Sequence, residues 1–234
     1  IAVSTLALPL TERVEQARVL SYQDPIRSLE LAREALAAAE AETDESAAAQ
    51  AGWLIALAEM RIGDSESGET ALKTARRRFT ELGDARGQRL CDEVRAIGLR
   101  RLGHLSACRA LLEDIDRRGT PPGDDFDAFL LHNSRAITLK ALGLTDLTLT
   151  HFYAALDAAD RLRWPGPRVV AAANLGGFYL DLHNLDDALA ITRRAQQAAL
   201  SAGMAPIIGT ATVNLIAISS VSYTHLRAHE TKAN

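Results

Sequence analysis

"IGDSESGETALKTA" (62–75), "LGHLSACRALLEDI" (102–115), "LGLTDLTLTHFYAA" (142–155) and "LHNLDDALAITRRA" (182–195) align without a gap, one every 40 residues. Gly63, Gly103, Gly143 and His183 stand second in the four segments, at one register position. Five residues on stands Gly68, Cys108, Thr148 or Ala188, then Leu72, Leu112, Phe152 or Thr192, then Ala75, Ile115, Ala155 or Ala195. One period earlier, "QDPIRSLELAREAL" (23–36) supplies Ser28, Ala32 and Ala35 in the same places. A small residue followed four and then three positions later marks one stripe of a helix, and the small side chain lets a second helix approach closely. The Gly or polar residue ahead of it ends one helix and starts the next. Each unit therefore reads as a helical hairpin, with first helices near 45–62, 87–102, 126–142 and 169–182. Second helices fall near 25–41, 65–82, 105–117, 145–162 and 185–202. "LGDARG" (82–87), "RGTPPGDD" (118–125) and "RWPGPR" (163–168) break the chain between units.

A lone hairpin cannot bury its apolar stripe, whereas stacked neighbours share a continuous core. The fold class expected is all-α, a right-handed α-solenoid of antiparallel helical hairpins over residues 1–219. Composition agrees: aromatic residues are 5% of the chain, and Ala, Leu, Arg and Glu dominate. A formal net charge of -4 gives no reason to expect nucleic acid or an anionic membrane as partner. Cys91 and Cys108 are too few for a disulfide framework and suit a reducing, cytoplasmic setting. The apolar stretch "MAPIIGTATVNLIAISSV" (204–221) holds Thr, Asn and Ser and reads as a buried helix, not a membrane span.

That stretch repeats "PRVVAAANLGGFYL" in register, with Asn214-Leu215 40 residues after Asn174-Leu175, and so begins a sixth unit. Another Gly-Asp-like corner should follow Ser219, but the chain reads "VSYTHLRAHET" (221–231) instead. Those eleven residues resemble one translated frame of a transposase adapter used to prepare sequencing libraries. Residues 220–234 are therefore expected to be a non-native tail, and Ile1 in place of Met points to a chain cut at both ends. A first helix without its partner should leave Ile216 and Ile218 bare. His225 and His229 stand four apart, as a zinc pair does, but the order is not His-Glu-x-x-His and no third ligand is apparent.

No phosphate loop, Cys-x-x-Cys, nucleophile elbow or dinucleotide fingerprint occurs. No catalytic residue, metal ligand or cofactor is expected. His104 and His183 read as corner residues, Cys108 and Trp53 as packing, and the carboxylates of 44–49, 123–125 and 185–187 as helix-start charges.

The corner and its small-residue register resemble the tetratricopeptide repeat, most closely in "NLGGFYLDLHNLDDALAITRRA", where Leu175, Gly176, Tyr179, Ala188 and Ala195 match. The period is nearer that of HEAT arrays than the usual tetratricopeptide length of about 34. The corner residue five before the small position decides for tetratricopeptide. Longer units of this kind are similar to those of bacterial signalling proteins, including regions ahead of diguanylate cyclase (GGDEF) domains and regulators related to the maltose-operon activator. The resemblance implies a protein-binding sensory scaffold whose first helices line a concave groove, with Asn174 and Asn214 placed to hold a peptide backbone. The same faces carry Arg61, Arg100, Arg101, Asn133, Lys140 and Asp181, a mostly basic set suited to an extended acidic segment. The array of a DNA-binding regulator, or the substrate-docking arm of an enzyme, would present such a face as well. Sequencing the source DNA across codon 219 is expected to replace "VSYTHLRAHET" with a further corner and helix; recovery of the same codons would show the tail to be encoded.

Overall fold

The computed structural model describes the backbone of residues 8–232 and the side chains of residues 8–221. Eleven helices follow one another with no strand between them among the described residues: α1 (Leu10–Leu20), α2 (Pro25–Ala41), α3 (Glu45–Ile62), α4 (Ser65–Glu81), α5 (Ala85–Arg101), α6 (Leu105–Arg118), α7 (Asp125–Ala141), α8 (Thr145–Asp160), α9 (Gly166–Asp181), α10 (Leu185–Ser201) and α11 (Ala205–Lys232). The chain is an all-α helical solenoid.

A corner of one design turns most helices into the next. Gly83 has φ 68, and Gly63, Gly103, Gly143 and Gly203 are likewise left-handed, a region in which only glycine escapes a steric penalty. At the α4–α5 corner the N–H of Gly83 donates to Thr80 O at 3.1 Å and that of Asp84 to Phe79 O at 2.9 Å, the paired bonds of a Schellman motif. The Asp84 carboxylate then accepts from Gly87 N at 2.9 Å and caps α5. Asp44, Asp64 and Asp124 cap α3, α4 and α7 in the same way. Asn184 does so for α10 behind His183, which takes φ 58 without being glycine.

The expected stripe is buried throughout: Ser28, Ala32 and Ala35; Gly68, Leu72 and Ala75; Cys108, Leu112 and Ile115; Thr148, Phe152 and Ala155; Ala188, Thr192 and Ala195. Its small members close on the preceding first helix, as Ser28 Oγ donates to Ala17 O at 2.7 Å and Cys108 Sγ lies 3.2 Å from Ala96 O. First helices pack on the next first helices, from α1 on α3 through to α9 on α11, while each second helix packs on the first helices beside it. The first helices thus form the inner layer, and α3 is buried on nearly every side.

The helix α11 runs on past Ser219 to Lys232 without a corner. Ile216 is 62% exposed, but Ile218 is 2% exposed. The expectation that both would be bare is corrected: the face carrying Ile218 packs into the array, while the Ile216 face points away from it.

Register position 56, 96, 136 and 176 holds Ala, Ala, Ala and Gly, all buried. A Cβ on Gly176 would meet Thr192 Oγ1 at 2.3 Å. Gly→Ala inside a helix ordinarily gains about 0.5–1 kcal/mol. Here Gly176→Ala is expected to lose about 1–3 kcal/mol in urea unfolding, the cost of overpacking; a gain would show that the two helices are not in close contact.

Candidate functional site

The inner layer gathers the residues singled out for a groove, and most of them bind one another at an offset of one repeat. Asn174 Nδ2 donates to Asn133 Oδ1 at 2.9 Å, and Asn214 Nδ2 lies 3.5 Å from Ala173 O. Arg101 Nη1 donates to Met60 O at 2.7 Å and to Arg61 O at 3.3 Å. Lys140 Nζ pairs with Asp181 Oδ2 at 2.7 Å. Each contact ties one first helix to the next, so these polar side chains serve as unit-to-unit rungs.

Arg61 and Arg100 differ. Both are half-buried, and the Nε of each is enclosed with no hydrogen-bond partner. Among the described residues no carboxylate pairs with either; Arg101 is a like-charged neighbour of both, and the Tyr22 hydroxyl, kept neutral by burial, is a hydrogen-bond partner of Arg61. Burial pulls both guanidinium pKa values down, because a charge withdrawn from water without a counter-ion is costly.

Tyr22, at the α1–α2 corner, lies at the centre of this face with 2% of its surface exposed. The Arg61 guanidinium stacks over its ring at 3.8 Å from the centroid, a cation–π contact. Phe129 and Phe126 approach the ring edge-on at 4.9 and 5.9 Å, and Trp53 and Trp164 lie beyond Phe126 at 6.4 and 6.2 Å. The same corner reaches across most of the chain, since Gln23 Nε2 donates to Ala202 O at 3.1 Å and the Gly166 backbone abuts Tyr22 and Gln23. One apolar core consequently runs from Val14 to Met204. Trp53, read as packing, is buried in it with its Nε1 donating to Leu90 O at 3.2 Å.

A second polar cluster lies further along the same layer. Asp127 accepts from Arg86 Nε at 2.6 Å, Arg89 Nη2 at 3.1 Å and Gly123 N at 3.0 Å; Arg89 also pairs with Glu93, and the Asp127, Arg89 and Glu93 side chains are buried. Burial pushes Glu93 up to about 8 against the opposing pull of Arg89. Asp124 accepts from both Arg86 and Arg18, at 3.0 and 2.5 Å, and so pins α1 to α7. The residues "DDFDAF" (124–129) thus supply both the carboxylates and the aromatic socket, at which only their regular apolar spacing hints.

Cys108 is fully buried, in keeping with a packing role, and Cys91 is also buried and unpaired, its thiol pushed up to about 12 by burial. The side chains of His225 and His229 lie outside the described residues. Among the described residues no group of three or more His, Cys, Asp or Glu is arranged to hold a metal, and no helix is long and apolar enough to cross a membrane. No protein-family model matches the chain, and no curated protein matches it either.

His132 and His151 form a pair between α7 and α8, with Nδ1 atoms 2.9 Å apart and Arg135, itself paired to Asp116, alongside. One Nδ1 must donate and the other accept, so both rings cannot be charged. Burial first, then His151 and Arg135, depress His132 to about 4, and His151 is lowered by burial and Arg135. Folding disfavours protonation, so the stability this pair contributes is complete above the ordinary histidine range near 6.5 and is lost as pH falls towards about 4. His132→Gln is expected to flatten the fall in Tm between pH 7 and pH 4; an unchanged slope would mean the pair does not govern it.

Proposed function

We propose that the chain is an interaction scaffold that holds an extended acidic segment of a protein partner on the inner layer of its helical array. The observation that carries this reading is the state of Arg61 and Arg100. A half-buried guanidinium with no carboxylate beside it lacks a counter-ion, and a carboxylate from outside would supply one by charge-assisted hydrogen bonds to the part of the group that is still accessible. Arg101 adds a third positive charge at the same end of α5. The reading is also consistent with the tetratricopeptide resemblance, under which the array would be the sensory or docking arm of a bacterial signalling protein. A diguanylate cyclase is the output domain that this resemblance favours, ahead of a DNA-binding regulator or a docked enzyme.

Fluorescein-labelled octaglutamate is expected to bind the protein, with affinity falling as salt rises. Arg61→Gln with Arg100→Gln should weaken it by tenfold or more, in line with about 1.5–3 kcal/mol for a hydrogen bond to a charged group. Equal binding by the double variant, with circular dichroism unchanged, would remove the basis of the proposal.

A further inference from the structure

Tyr22 stands in the repeat register with Ile62, Leu102, Leu142 and Leu182, the residue just before each left-handed corner. Ile62, Leu102 and Leu182 are 47%, 61% and 41% exposed at the rim of the array, whereas Tyr22 is 2% exposed. The difference begins in the backbone. Gln23 occupies the glycine position without a positive φ, and the α1–α2 corner closes through Gln23 N to Leu20 O and Asp24 N to Leu20 O instead of the Schellman pair. The ring therefore turns inward, into the socket of Phe126, Phe129 and Arg61.

The element that delivers it is lightly anchored. α1 is an 11-residue helix that buries only Val14 and Ala17 and has no side-chain cap at Pro9. Leu10 and Leu20 pack partly buried against the core, Arg18 pairs with Asp124 and lies over the Phe126 ring at 4.8 Å, and Gln23 of the following corner donates to Ala202 O. Buried apolar area sets what a segment costs to release, and α1 has little of it.

We propose that Tyr22 is an internal stand-in for an aromatic anchor, and that the partner segment carries an aromatic residue among carboxylates, displacing Tyr22 to bind. This rests on the acidic-segment reading of the same face and adds the aromatic residue and the competition. The socket supplies the edges of two phenylalanines and the flat guanidinium of Arg61 for a ring, while Arg61 and Arg100 supply the unmet positive charge. Octaglutamate satisfies the charge alone and leaves Tyr22 in place. A peptide of four glutamates, one phenylalanine and four glutamates must evict Tyr22, so its affinity includes the cost of opening the corner.

The test measures the ratio of the two peptides' affinities in the wild type, Tyr22→Phe and Tyr22→Ala. The ratio is expected to shift towards the phenylalanine peptide by tenfold or more in Tyr22→Ala and to stay within threefold of wild type in Tyr22→Phe. Should Tyr22→Ala fail to fold, Gln23→Ala, which cuts only the bond to Ala202, is expected to shift the ratio the same way by about threefold. An unchanged ratio in every folded variant, with both peptides bound, overturns the stand-in and leaves the acidic-segment reading intact. Failure of both peptides to bind any variant overturns the acidic-segment reading itself. The competition is then read separately by hydrogen exchange: Tyr22→Ala should deprotect residues 10–24 at least tenfold while α7 stays protected, and equal protection of residues 10–24 overturns it.

Discussion

The structure depends on a single residue that belongs to two helices at once. Asp84 donates its N–H to Phe79 O and so closes α4, while its carboxylate accepts from Gly87 N and opens α5. Neither function leaves freedom for the other, because the residue ahead must be left-handed for the first bond to form and the side chain must fold back for the second. The angle between successive helices is thereby fixed by two hydrogen bonds from one residue. Where the preceding residue is glycine the strain is absent; His183 bears the left-handed conformation without that relief.

Once the corners fix direction, pairs between helices fix order. The position facing the preceding second helix carries Asp92 against Arg76 at 3.0 Å in one unit and Thr212 against Gln196 at 2.9 Å in another. Asp92 also meets Arg118 from the other side at 2.7 Å, and its carboxylate is 4% exposed. A second helix of the wrong unit would bury that carboxylate unpaired, a heavy cost in a low-dielectric setting. The near-identical geometry of the units is thus individualised by a few polar pairs.

Much of this architecture is legible in the amino-acid sequence itself. The 40-residue register places the hairpins to within a few residues, because a small residue four and three positions ahead of further small or apolar ones has one helical meaning. A finer signal runs beneath it: Asp24, Asp44, Asp64, Asp84 and Asp124 stand at intervals of 20 or 40 residues, each capping the helix that follows, so the caps mark single helices and not just hairpins. What local pattern cannot supply is the course of the array as a whole. That the α1–α2 corner meets α7 and the end of α10 follows from small rotations accumulated over several units, none visible in one window of sequence. For the same reason the spacing of Lys140, Asp181, Asn133 and Asn174 puts them on one face but does not reveal that they pair across it.

The bond from Gln23 to Ala202 joins residues 179 apart in the chain. An ordinary solenoid behaves as a one-dimensional lattice: each repeat feels only its neighbours, folding spreads from any seed, and repeats can be gained or lost without penalty beyond the ends. A contact between the first corner and the tenth helix's end makes the object two-dimensional. Contact order rises, the seeded growth of a linear array gives way to a step in which distant units must arrive together, and the loop-closure entropy is repaid only at the end. The repeat number between those two corners becomes a circumference, so removing or adding one 40-residue unit would carry Ala202 out of reach of Gln23.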